Sequence, residues 1–236
     1  VGLHSIFNLF MTPFNREAIK NGLFQKIAAE AERKGLIHLT SKAERQASWR
    51  KTLAENPNRD GSVWVFAYGS LLWNPAIHIS EQIDAQLEGY HRDFTLRTYI
   101  GRGSKEQPGL VLGLEQGHSC RGRALRVADE HIESELDVLW SREMLASAYK
   151  PTWLPVQTGR AEPVYAIAFL MDTNYPHYVA HLSFEERCHD LAHGEGALGG
   201  AADYLFSTLE ALQSLGIEDT LLERYARQVR KIQASG

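Results

Sequence analysis

The chain is poor in the features from which most functional readings start. Only two of its 236 residues are cysteine, Cys120 and Cys188, far apart and in no metal or redox spacing. Two thiols in a reducing compartment are expected, rather than a disulfide framework or a zinc site. Long hydrophobic runs are missing. The longest, Val164 to Met171, is far too short to span a bilayer, which takes about 20 residues. Basic residues are outnumbered, with 25 Lys and Arg against 29 Asp and Glu and a formal net charge of −4, and they form no cluster interleaved with aromatics. A nucleic-acid partner and an anionic membrane surface are therefore not expected. There is no internal repeat, no low-complexity segment and no His-Glu-x-x-His motif. The opening stretch, Val1 to Phe14, lacks a basic start and a small-residue cleavage site, so it is not read as a signal peptide. The first ten residues read as a remnant or an overextended gene start, with Met11 as the candidate start, and a cytoplasmic location is expected.

What remains is ordinary globular material, 44% hydrophobic and 23% charged, enough for a core in one domain with an appendage. Ile19, Leu23, Ile27 and Ala31 recur at helical spacing over residues 15–35. Ser41 followed by Glu44 is a capping box for a second helix reaching about Glu55. Turn residues from Asn56 to Gly61 then mark a boundary between a helical extension, 1–60, and a second domain, 61–236. A chain starting near Asp60 is expected to fold, unless the amphipathic extension covers the second domain.

Past the boundary the period becomes that of strands. Ser62 to Tyr68 is apolar on both faces, as in a central strand covered on each side. Further strands are expected at Gln82–Leu87, Phe94–Ile100, Leu110–Leu114, Gly122–Val127, Trp153–Gln157 and Val164–Met171. Helices are expected at Asp129–Trp140, Ser183–His193, Ala201–Leu215 and Asp219–Ile232, with Gly216 as a stop. Strands that come mostly in a run predict an α+β fold, a mixed sheet or small β-barrel with flanking helices.

The most informative segment is Val65-Phe66-Ala67-Tyr68-Gly69-Ser70-Leu71-Leu72-Trp73-Asn74, a buried strand that ends in a glycine turn. Gly69 permits a sharp turn and the close approach of a ligand, and successive N–H groups in such a turn converge on an anion. Ser70 does not sit in a Gly-x-Ser-x-Gly elbow and is not read as a hydrolase nucleophile. From the residues alone, the turn reads equally as an ordinary strand end, and Glu143 as a solvated acid paired with a neighbouring arginine. His177 and His181, and likewise His189 and His193, are four apart, the spacing that puts two imidazoles on one helix face. Solvated or packed histidines are the plainer reading of both pairs.

The Phe66-to-Pro75 segment resembles the signature of the ChaC-type, glutathione-specific branch of the γ-glutamylcyclotransferase superfamily. The resemblance continues in order through Gly101-Arg102-Gly103-Ser104 with Pro108-Gly109, Leu139-to-Met144, Tyr149-x-Pro151-Thr152-Trp153, and Gly199 with Tyr204-Leu205-Phe206. It departs at Leu110, where relatives often carry Arg, and at Glu195–Ala201, where many read Ser-Gly-Pro-x-Gly-x-Asn. The resemblance implies a γ-glutamylcyclotransferase-like fold and a lyase that converts glutathione to 5-oxoproline and Cys-Gly without metal or cofactor. It implies Glu143 as the general acid/base, with Tyr68, Gly69, Ser70 and Leu71 holding the γ-glutamyl group. Arg102 and Tyr149 are further expected binding residues, and Arg97 is a second arginine candidate for a substrate carboxylate. The alternatives are a cyclotransferase of broader γ-glutamyl specificity, or a non-catalytic or metal-binding module on the same fold.

Overall fold

The structure is a computed structural model that describes residues 15–235; the opening segment with Met11 lies outside the described residues. The expected first helix is two helices, α1 (Arg16–Lys20) and α2 (Leu23–Arg33). They divide at Gly22, whose φ of 78° lies outside helical space. The helix α3 (Lys42–Ala54) starts on the expected capping box, with the Glu44 N–H donating to Ser41 and the Ser41 N–H donating to the Glu44 carboxylate.

The five-stranded sheet has the order β2-β3-β1-β5-β4, with β1 (Trp64–Ala67) at its centre and parallel only to β5 (Val164–Met171). The remaining pairs are antiparallel. Four of the expected strands merge into one long hairpin, β2 (Ile79–Thr98) and β3 (Gly109–Val127). Polar or glycine-bearing stretches such as Glu88–Gly89 in β2 and Gln116–Ser119 in β3 hid that continuity, because an exposed part of a strand needs no apolar residues. With β4 (Tyr149–Val156) the sheet stays open and is not a closed barrel. Its edge strands approach each other at one isolated bridge between Gln86 and Gln157.

Every residue of β1 is buried. Trp64, Phe66 and Tyr68 join a core shared with the helices α6 (Ala201–Ser214) and α7 (Thr220–Ser235), whereas Val63, Val65 and Ala67 join a second core on the opposite face. The second core is closed by α4 (Ile132–Glu143) through Leu136, Leu139 and Trp140. A further helix, α5 (Phe184–His193), opens on the capping box formed by Ser183 and Glu186, and is followed by the small hairpin β6 (Glu195–Gly196) and β7 (Gly199–Gly200).

The helical extension contributes to that second core. Ile19 and Trp49 are each 2% exposed within it. Three indoles fasten α3 in place: Trp140 donates to Ser48, Trp153 to the Thr52 carbonyl and Trp49 to Asp137. The Arg16 guanidinium also meets the fully buried carboxylate of Glu135 on α4, which accepts the His78 N–H as well. Removing residues 1–60 uncovers this apolar face and leaves Glu135 buried without its arginine, which is strongly unfavourable. The truncated chain is therefore expected to be insoluble or to melt well below the full chain. Trp49→Ala should cost about 3–5 kcal/mol by chemical denaturation. An unchanged melting curve for both would mean that the extension only rests on the surface.

Candidate active site

One pocket lies where several elements end. Its wall takes Tyr68–Leu71 after β1, Leu96–Thr98 at the end of β2, Val111 and Leu112 near the start of β3, and Arg142 and Glu143 at the end of α4. Tyr149 of β4, Phe169 of β5 and Tyr204 of α6 complete this part. The residues expected to catalyse or to bind the substrate, Tyr68, Gly69, Ser70, Leu71, Arg102, Glu143 and Tyr149, all line this pocket.

The turn after β1 is a single 3₁₀ turn, Ser70–Leu72. The Leu72 N–H donates to the Gly69 carbonyl and the Asn74 N–H to the Ser70 carbonyl, so part of the turn's amides close the turn itself. A Cβ on Gly69 would stand 2.7 Å from the Tyr204 hydroxyl. Glycine is needed there for the close approach of a tyrosine of this chain, a reason different from the expected approach of a ligand. Close approaches also set Gly103 and Gly109 on either side of the Arg102 loop, where an added Cβ would strike the Thr98 carbonyl at 2.2 Å and the Arg102 carbonyl at 2.1 Å respectively.

Glu143 is the last residue of α4, and its side chain is 17% exposed. Its carboxylate is 2.8 Å from Nε of Arg142, the neighbouring arginine of the plainer reading, whose side chain is 3% exposed. The same guanidinium donates to Ser70 Oγ at 2.9 Å and to the Asn74 carbonyl at 2.7 Å. One planar cation therefore ties the acid to the Tyr68–Leu71 turn. Sequence reasoning missed this role, although Arg142 stands inside the Leu139-to-Met144 block.

Three tyrosines surround the acid. Tyr68 donates to the Phe169 carbonyl at 3.0 Å and Tyr149 to the Leu112 carbonyl at 2.9 Å. Burial pushes both hydroxyls well above the usual tyrosine range, and the Glu143 charge adds to this. Tyr204 is pushed up to about 12, first by burial and then by Glu143, against the backbone N–H groups of Ser70 and Leu112. It too was quoted only as part of a block, and the Gly69 contact is what brings it to the site.

Arg102 is buried, which pulls its guanidinium below its ordinary value, and the Asp203 charge opposes that shift. It donates to the Gly200 carbonyl and lies over the Trp73 ring. Among the described residues no carboxylate pairs with it at ion-pair distance. Arg97 also lines the pocket, but it is paired with Asp190 at 2.7 Å. The departing segment Glu195–Ala201 forms the β6–β7 hairpin and contributes Leu198 to the wall. Leu110 is instead fully buried in the core.

His177 and His181 precede α5 and lie outside any helix, so they do not share the helix face that their spacing offers. Tyr175-Pro176 and the turns around them keep this segment irregular. The His177 ring contacts the Leu36 carbonyl at 2.6 Å and packs against Tyr99 and Tyr175. His189 and His193 do share α5, where His193 contacts the His189 carbonyl. Among the described residues, no three His, Cys, Asp or Glu side chains are grouped to hold a metal ion.

Fold and pocket together define an α+β protein whose site pairs a glycine turn with one carboxylate. Residues 63–232 match the family of ChaC-like proteins, and the chain belongs to that family. It is 40% identical over 196 residues to the glutathione-specific γ-glutamylcyclotransferase of Escherichia coli strain K12, covering 83% of this chain and 84% of that protein. It is 30% identical to γ-glutamylcyclotransferase 2-3 of Arabidopsis thaliana, over 72% of this chain and 90% of that one. The fold matches the crystal structure of a yeast γ-glutamylcyclotransferase specific to glutathione with a TM-score of 0.68, at 18% identity, over 74% of this chain and 98% of that one.

The tyrosines make the fold sensitive to alkali. Tyr204 titrates near 10.0 when free and at about 12 here, so the folded state holds the proton more tightly. The associated stability is full below pH 10 and is lost as the pH rises through 12. Thermal midpoints should fall across that window, and Tyr204→Phe should flatten the fall.

Proposed function

We propose that this chain is a glutathione-specific γ-glutamylcyclotransferase that works in the cytoplasm. The observation that carries the reading is the convergence of the glycine turn and Glu143 in one pocket, tied together by Arg142. Membership of the ChaC-like family and the names of the relatives support it from outside the site. The location is supported by two buried free thiols; no helix among the described residues is long and apolar enough to cross a membrane.

The reaction is intramolecular. The α-amine of the γ-glutamyl group attacks its own γ-carbonyl carbon and closes the five-membered ring of 5-oxoproline. The bond from that carbon to the cysteinyl nitrogen breaks, and Cys-Gly leaves. Because attacker and target are tethered, no protein nucleophile is needed, and holding them in a near-attack geometry supplies up to about 7–11 kcal/mol. The turn Tyr68–Leu71 holds the γ-glutamyl group, with Tyr149 beside it, while Arg102 meets a substrate carboxylate. The amine arrives as an ammonium, so Glu143 takes a proton from it and returns one to the departing nitrogen. Such relays contribute about 10²–10⁴-fold.

Incubation with glutathione should release equal amounts of 5-oxoproline and Cys-Gly, and γ-glutamyl-alanine should react poorly. Equal rates on the two would leave a cyclotransferase of broader specificity. Glu143→Gln keeps shape but carries no proton, so turnover should fall by about 10²–10⁴-fold with binding and melting temperature little changed. A folded Glu143→Gln protein with near wild-type turnover would sink the assignment.

Arg142→Lys tests the tie between acid and turn. A lysine is a point charge that cannot bridge Glu143, Ser70 and Asn74 together. Turnover should fall by about 10²-fold, the scale expected of a displacement of about 1 Å.

A further inference from the structure

Two residues of the pocket wall, Phe24 and Ile37, belong to the part of the chain that precedes the stretch matched by the ChaC-like family. Ile37 lies in the connection between α2 and α3, and that connection is anchored at both ends. At one end the Leu36 carbonyl meets His177 Nε2 at 2.6 Å. At the other, the Thr40 N–H donates to the Leu145 carbonyl at 2.9 Å and its hydroxyl donates to the Met144 carbonyl at 2.8 Å, directly after Glu143. Arg45 on α3 in turn donates to the Thr40 carbonyl. Between them the Leu39 N–H donates to Glu32 of α2. The segment thus runs along the pocket from the His177 side to the turn after the acid, and its backbone is held along the way.

Ile37 has no place in either of the large cores. It is half-buried, and the space beside it is the pocket. We propose that Ile37 is a specificity-determining residue, whose side chain packs against the Cys-Gly portion of the substrate. The inference rests on the γ-glutamylcyclotransferase reading. If the tethered amine and the carbonyl sit at the Tyr68–Leu71 turn beside Glu143, the chain beyond the reacting amide must extend along the rest of the pocket. Ile37 follows Leu36, which is fastened to His177, and so lines the pocket beside His177, itself a wall residue. A cysteinyl side chain and a glycyl methylene are small and weakly polar, which suits an aliphatic neighbour. A wall fixed by hydrogen bonds at both ends is already shaped for its ligand and needs little ordering on binding.

The test uses the full chain with Ile37→Ala and, as a milder change, Ile37→Val. Steady-state rates on glutathione are measured together with inhibition by each product, Cys-Gly and 5-oxoproline. A contact with the leaving portion in both ground and transition states predicts a KM about tenfold higher in Ile37→Ala, with kcat within about twofold. Inhibition by Cys-Gly should weaken by a similar factor, inhibition by 5-oxoproline should not change, and Ile37→Val should shift the same quantities by less. A folded Ile37→Ala protein with unchanged KM overturns the inference. So does a fall in kcat alone, or equal weakening by both products, since either would make Ile37 a prop for the acid or for the turn. If Ile37→Ala does not fold, Ile37→Val decides by the same criteria. A wild-type protein that leaves glutathione unreacted overturns the functional reading and this inference with it, whereas an active wild type with insensitive variants overturns this inference alone.

Discussion

The guanidinium of Arg142 joins two parts of the chain that are 72 residues apart. A buried cation is unfavourable unless its donors are met, and here they are met by the Glu143 carboxylate, the Ser70 hydroxyl and the Asn74 carbonyl. The fork is rigid and planar, so satisfying it also sets the angle between the end of α4 and the turn after β1. Its place in the last turn of α4 is favourable too, because a cation there meets the negative end of the helix dipole. In the proposed reaction the acid and the γ-glutamyl site must keep their distance through a proton transfer. A single hydrogen-bonded cation between them is the shortest physical link that does so.

That link depends in turn on the layering. The central strand β1 is buried on both faces, so its C-terminal end, and with it the Tyr68–Leu71 turn, is fixed by two cores at once. The core on one side brings Tyr204 to within reach of Gly69, and the core on the other brings α4 and Glu143. The extension closes the second core through Ile19 and Trp49, so helices remote from the turn in sequence help to hold the acid.

Much of this was legible in the residues, for identifiable reasons. The strand β1, the capping boxes at Ser41 and Ser183 and the later helices are local patterns, and local patterns survive folding. The long hairpin was read as four short strands, because alternation fails where β2 and β3 carry exposed polar residues. The site residues were named from an ordered set of motifs, and they do meet in one pocket. Arg142 and Tyr204 stood inside those motifs, but their work is three-dimensional: a fork spanning separate segments, and a hydroxyl filling the space that a missing Cβ leaves. No periodicity signals either. Ile37 is harder still, since only the path of the chain between α2 and α3 brings it to the pocket.

The charges of the site complete the argument. Tyr68, Tyr149 and Tyr204 are held in the neutral form, so they bring hydroxyl groups near the acid without bringing charge. The fixed charges among the residues assigned to the site are then one carboxylate, already paired, and two arginines, Arg142 and Arg102. A γ-glutamyl peptide carries an ammonium beside its α-carboxylate and a second carboxylate at its far end. Arg97 on the same wall is neutralised by Asp190, which leaves an excess of one positive charge and suits a ligand with one more negative charge than positive. Among the described residues, the arginine of that pocket without an ion-pair partner is Arg102, which lies over the Trp73 ring and donates to the Gly200 carbonyl. In the proposed reaction the ligand's ammonium would meet Glu143 and one of its carboxylates would meet Arg102, which is consistent with this charge pattern. Among the described residues that line the pocket, Glu143 is the one carboxylate, and the proposed reaction needs the amine beside it.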